Sequence, residues 1–223
     1  MEKGARLQHN KSDNALAVVK AAINLVPVVG GALASLIGDY VPTSTQKSIN
    51  RTMDILGEKL NSLEGRIDVD IVDKDDFSEL FKSCYLIIIR SQREEKLRAA
   101  ANFIANLLLK TDDPAKSSYT ELDHLVRCLD TLSIGAIGVL GACLRVGSTA
   151  PMSKRETFQF EQLRTEFEDL EPSLVMSLLS ELRSMNLVAI QEPGIRTADY
   201  GNYLIELTPI GRRFIERFIQ GRF

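Results

Sequence analysis

Charge of one sign, histidine, paired cysteines and catalytic motifs are all scarce in this sequence, and each scarcity excludes something. The 223 residues carry a formal net charge of −3, which leaves no electrostatic footprint for nucleic acid or anionic lipid. The two histidines, His9 and His124, stand far apart, and neither has a Cys or His at zinc-ligand spacing. The three cysteines, Cys84, Cys128 and Cys143, are odd in number, widely spaced and set among apolar residues. They exclude a disulfide framework and read as reduced core thiols. Gly30–Gly31 lacks the Lys-Ser/Thr of a phosphate loop, and no strand precedes it. No Gly-x-Ser-x-Gly elbow occurs, and no cysteine has a histidine at a spacing that suggests a catalytic pair. The acidic run Asp68, Asp70, Asp73, Asp75, Asp76 and Glu79 imitates a calcium loop. Val72 and Asp73 stand where an oxygen ligand and the turn glycine are required, so it reads as a solvated, helix-capping stretch. With no catalytic constellation, the residues imply neither an enzyme nor a metal or other cofactor.

What is present is a core. Hydrophobic residues make up 44% and charged residues 26% of the chain, ordinary for a folded protein large enough to bury one sizeable domain or two small ones. Residues 1–14 are polar and without periodicity, and are expected to be a disordered tail. The following 15–41, ALAVVKAAINLVPVVGGALASLIGDYV, is apolar throughout but carries Lys20, Asn24, Pro27, Gly30–Gly31 and Asp39. Its length is close to the ~20 residues that cross a bilayer, yet its broken halves are each too short. The pattern predicts a helical hairpin over 15–25 and 32–39. Gly30, Gly31, Ala34 and Gly38 are then the positions for close helix packing or membrane contact. Leu16, Val19, Ile23, Leu33, Leu36 and Ile37 are expected to lie against the helices around Ile88 and Phe103.

The periodicity predicts a helix over 45–63, a long helical tract over 73–110, a loop over 111–118 and a helix over 119–129. Together with the hairpin these make an N-terminal helical domain, 15–130. Residues 131–223 change character. A helix over 132–145 carries Gly135, Gly138 and Gly141, each costing about 1 kcal/mol of helix propensity, which suggests close packing. Helices over 160–167 and 172–186 follow, then the strands LVAIQ and YLIEL and a last helix in LTPIGRRFIERF, with Thr208 as cap and Pro209 in the first turn. That order predicts a winged helix closing a mainly α chain. In helix 172–186, Val175, Leu178, Leu179 and Leu182 form the inner stripe. Ser173, Ser177, Ser180, Glu181 and Ser184 face outward, with Arg183 at the edge. Residues 131–223 hold ten basic against eleven acidic residues, so this face is a poor DNA reader. Protein contact or self-association is the first expectation, and a DNA-binding regulator the second.

The segments VPVVGGALASLI and SQREEKLRAAANFIANLLL are similar to those of uncharacterised bacterial helical and winged-helix proteins. EKLRAAANFIANLL, LDTLSIGAIGVL and YLIELTPIGRRFI resemble the abortive-infection alpha family of phage-defence proteins over residues 94–219. The resemblance implies a bacterial stress or phage-defence role, which with the missing catalytic motifs makes a non-enzymatic interaction or effector protein the expectation. It would be cytoplasmic, with contact at the inner membrane and membrane perturbation on activation left open.

Overall fold

A computed structural model describes residues 43–63, 65–68, 75–149, 157–193 and 200–223. The expected tail and hairpin, with Gly30, Gly31, Ala34 and Gly38, lie outside the described residues. Within them the protein is mainly helical, with eight α-helices and one small three-stranded antiparallel sheet. It divides into two compact units, Met1–Leu129 with Phe223, and Asp130–Arg222.

In the first unit, α1 (Thr43–Ser62) buries Thr52, Ile55, Leu56 and Leu60 at helical spacing. Helix α2 (Asp75–Arg90) turns Phe77, Phe81, Cys84, Tyr85 and Ile88 inward, with Phe81 stacked between Phe77 and Tyr85. Helix α3 (Glu94–Leu107) is buried without a break from Ala99 to Leu107 and is the centre on which α1 and α2 pack. A stretch buried on every side belongs inside a core, here with two asparagines, Asn102 and Asn106, among its apolar residues, and four alanines let its neighbours approach. Helix α4 (Tyr119–Thr131) buries Leu122, Leu125, Val126, Cys128 and Leu129.

The single tract expected over 73–110 is two helices. An unbroken 38-residue helix would extend roughly 57 Å at 1.5 Å per residue and could not fold back on itself. The break is held by hydrogen bonds. Arg93 N donates to Ser91 Oγ (3.2 Å), and Ser48 Oγ on α1 donates to the Ser91 carbonyl (2.9 Å). Past the break, Glu94 accepts from Arg51 (2.8 Å) and from Arg98 (2.9 Å). Its negative charge also suits a helix N-terminus. Charged residues compatible with helix concealed the turn in the sequence.

The second unit runs α5 (Ile134–Thr149), β1 (Thr157–Gln159), α6 (Phe160–Arg164) with a 3₁₀ turn (Thr165–Phe167), α7 (Pro172–Ser184), β2 (Val188–Gln191), β3 (Leu204–Leu207) and α8 (Pro209–Arg213). Helix α8 continues in π-helical geometry over Phe214–Ile219. The strand order is β1-β3-β2, with Ile205 of β3 opposite Phe158 on one side and Ile190 on the other. Helix α5 packs on β1, β3, α6 and α7. Thr208 caps α8 by accepting from Gly211 N, ahead of Pro209, as the sequence expects. Strand β1 was not expected: three residues with one buried side chain give no alternation to read. No helix among the described residues is long and apolar enough to cross a membrane.

The three glycines of α5 do not share one purpose. A Cβ on Gly135 would meet Leu178 Cδ2 at 3.1 Å, one on Gly141 would meet nothing nearer than 3.7 Å, and one on Gly138 would meet nothing within 4 Å. The close packing inferred from their spacing therefore holds at Gly135 alone. Gly138→Ala should stabilise the protein by about 1 kcal/mol through helix propensity and a less free unfolded chain. Gly135→Ala should gain less, because Leu178 must give way. Paired urea titrations of the two variants check the difference, which vanishes if both gain equally.

Candidate interaction face

Helix α7 is positioned by burial and by its ends. Val175, Leu179 and Leu182 recur at i, i+4 and i+7 and are buried. Leu178, expected in the same stripe, is half-buried against α5. Pro172 stands in the first turn, where a missing N–H costs nothing. The C-terminus closes with Asn186 at φ 57, Asn186 N donating to Arg183 O (2.9 Å) and Leu187 N to Leu182 O (3.0 Å). This pair of bonds is the Schellman arrangement, so the helix stops at Ser184 and not at Asn186.

Of the residues assigned to the outward face, Ser173, Ser177, Ser180, Arg183 and Ser184 are exposed. Three of the serines bind their own helix. Ser177 Oγ donates to Ser173 O (2.9 Å), Ser180 Oγ to Met176 O (2.8 Å) and Ser184 Oγ to Glu181 O (2.7 Å). A hydroxyl bonded back to its own helix has its proton committed. Glu181 corrects the reading. It is half-buried and accepts from Ser133 N (2.5 Å) and Ser133 Oγ (2.9 Å), while Ser133 Oγ accepts from Ala136 N (3.1 Å). It therefore fastens α7 to the N-terminus of α5, where a carboxylate is favoured. Sequence periodicity gives the side of a helix, not a partner 48 residues away.

Two further features were not anticipated. Leu174 is 47% exposed, a large apolar side chain among the serines. Immediately before α7, Glu168, Asp169 and Glu171 are exposed, and Glu166 pairs with Arg145 (2.7 Å). The N-terminal approach to the helix is thus acidic. The one arginine of the face, Arg183, lies 3.5 Å from Glu192, both more than half exposed, a pair worth little.

The described residues hold no group of three His, Cys, Asp or Glu able to bind a metal. Cys84, Cys128 and Cys143 are buried and unlinked. Burial pushes their thiols up to about 12, 11 and 12, so they stay protonated at neutral pH. Cys128 Sγ lies 3.6 Å from His124 Nε2 on α4. The sequence reading missed this neighbourhood, although four-residue spacing on a helix brings side chains together. Desolvation moves this thiol away from nucleophilic character. No protein-family model, curated protein or solved structure matches the chain.

Proposed function

We propose that the chain is a non-enzymatic interaction protein, built from an N-terminal helical bundle and a C-terminal winged helix that engages protein rather than DNA. In this reading helix α7, followed by the β2–β3 hairpin, takes the part of a winged helix's recognition element. The observation that carries the reading is the acidic approach to that helix. A groove-reading helix presents its N-terminal residues to base edges between two phosphate backbones, and phosphate binding needs several Lys or Arg. Here Glu168, Asp169 and Glu171 would meet the phosphates, and three of the four serine protons are already committed. Exposed Leu174, a large apolar side chain at the start of the helix, suits a protein surface better. The resemblance to abortive-infection alpha proteins supplies the setting, a phage-defence effector, with membrane perturbation as one outcome of its activation.

An electrophoretic shift at low salt with upstream DNA tests the reading. No shift is expected at nanomolar protein. A nanomolar shift abolished by Arg183→Ala would establish the DNA-binding regulator instead. In cells challenged with phage, Leu174→Glu should abolish protection while leaving the melting curve unchanged; undiminished protection would remove α7 as the contact.

A further inference from the structure

The first unit carries a cavity between α1 and the turn that joins α2 to α3, lined by Lys47, Ser48, Arg51, Gln92, Glu94 and Leu97. Its volume is about 380 Å³, within the roughly 300–1,000 Å³ of small-molecule sites. Lys47 and Arg51 stand four residues apart on α1 and so share a face. Ser48 Oγ, between them, donates to the Ser91 carbonyl (2.9 Å), which ties that face to the turn and fixes the wall. Ser48 and Leu97 are buried, whereas Lys47, Arg51, Gln92 and Glu94 are exposed at the rim. The charges do not cancel. Glu94 Oε1 accepts from Arg51 (2.8 Å) and from Arg98 (2.9 Å), and these two bonds hold its carboxyl below the usual carboxylate range. Lys47 has no hydrogen bond or ion pair among the described residues, and neither has the Gln92 amide. Asp54 and Glu58 act on Arg51 more weakly and do not line the cavity. Lys47, Arg51 and Arg98 therefore stand against the one carboxylate of Glu94, in a chain whose net charge is −3.

We propose that this cavity binds a small sugar phosphate, its phosphate against Lys47 and Arg51 and its hydroxylated body against Glu94 and Leu97. A phosphate monoester carries a charge of about −1.5 to −2 at neutral pH, which matches the local surplus of cations. Lys47 brings a point charge with three donors. Arg51 gives Glu94 a bond from Nη2 and keeps the other N–H groups of its fork for phosphate oxygens. The Gln92 amide adds a neutral donor. Glu94 Oε2 accepts from no described residue, since Arg51 and Arg98 both bind Oε1. A free carboxylate oxygen beside the cations repels a second anion and accepts from a hydroxyl, so the ligand joins one phosphate to hydroxyl groups. Leu97 offers an apolar floor for the C–H face of such a body. A nucleic acid strand fits less well, because its successive phosphates would run past Glu94 and beyond the cavity. The inference concerns the first unit alone and stands or falls apart from the reading of α7.

Nuclear magnetic resonance titration of the full chain tests it, with ribose 5-phosphate, glucose 6-phosphate, ribose and inorganic phosphate as probes. At least one sugar phosphate should saturate in the millimolar range or below and move the amide signals of 47–51 and 92–97. It should bind about tenfold more tightly than inorganic phosphate, because only the sugar engages Glu94, and ribose alone should not saturate. Lys47→Gln should weaken that sugar phosphate about tenfold, from one lost charge-assisted hydrogen bond. Lys110→Gln, at another exposed lysine of the same unit, should leave it unchanged. Both side chains are exposed, so both variants should melt with the parent. No saturable shift with either sugar phosphate, an affinity no better than that of inorganic phosphate, or equal loss in the two variants would overturn the inference. So would a single-stranded oligonucleotide that moves the same amides and binds more tightly than either sugar phosphate.

Discussion

Gly211→Ala should cost the second unit about 3 kcal/mol or more, at or beyond the upper end of what overpacking does to a core. A Cβ there would sit 2.0 Å from the carbonyl oxygen of Leu187, 2.8 Å from its carbon and 3.1 Å from its Cα. All three are backbone atoms, so no side-chain rotation relieves the contact. Nor can the strand step aside. Thr208 N donates to that oxygen (3.2 Å), Thr208 Oγ1 lies 2.9 Å from it, and Leu187 N is tied to Leu182 O (3.0 Å) by the closing turn of α7. Moving Leu187 would therefore disturb the cap of α8 and the end of α7 together. At about 4 °C per kcal/mol for a domain of this size, the transition of Asp130–Arg222 should fall by roughly 12 °C. Circular dichroism melts of the full chain check it. A variant that melts within about 2 °C of the parent would show that the backbone yields.

The same residues show what a sequence does and does not disclose. Elements with a repeated apolar period or a specific end were legible: α7 from Val175, Leu179 and Leu182, and the start of α8 from Thr208 and Pro209. So were β2 and β3, read from LVAIQ and YLIEL. Glycine was read wrongly because its cost is local while its reason lies across the fold. Gly135, Gly138 and Gly141 drew attention by their spacing, yet a glycine with no room for a methyl is Gly211, inside an ordinary helix start. The reversal at 91–93 was hidden because its hydrogen bonds reach Ser48, 43 residues earlier. For the candidate face, the sequence found the exposed serines and the shortage of cations. It missed the role of Glu181, since the Ser133 group it binds is fixed by how α5 meets α7. The acidic approach through Glu168, Asp169 and Glu171 was visible in the residues but acquires meaning only beside the N-terminus of α7.

Asn106→Ala should weaken the first unit by roughly 2–6 kcal/mol, from two buried hydrogen bonds broken by removing one partner at about 1–3 kcal/mol each. Asn106 is fully buried on α3; its Nδ2 donates to Ala115 O (2.8 Å) and its Oδ1 accepts from Ser117 N (3.0 Å). These bonds hold the loop between α3 and α4 against the end of α3. Lys116 Nζ donates there to the carbonyl of Leu107 (2.5 Å), which the helix leaves over, and to that of Leu109 (3.0 Å) just beyond it. Asp113 accepts from Arg66 Nε (2.7 Å) and Nη2 (2.8 Å), and the guanidinium holds its carboxyl down at about 2. Asn106→Asp separates the hydrogen bonds from the volume. The new carboxyl keeps an acceptor for Ser117 N but, when ionised, turns a charge and lone pairs toward Ala115 O. Burial raises its folded pKa above the unfolded value of about 3.9, so the variant should lose stability as pH rises through that folded value and recover as pH falls. Asp113 contributes in the opposite sense: its folded value is depressed, so its stabilisation is present above about 3.9 and is lost as pH falls toward about 2. Between pH 7 and about 4.5 Asp113 stays ionised, so recovery of Asn106→Asp relative to the parent over that interval reports the substituted group alone. Urea titrations of the parent, Asn106→Ala and Asn106→Asp at both pH values measure it. A penalty for Asn106→Asp that is unchanged between them would mean that the carboxyl reaches water, and that the loop is not closed by the Asn106 amide.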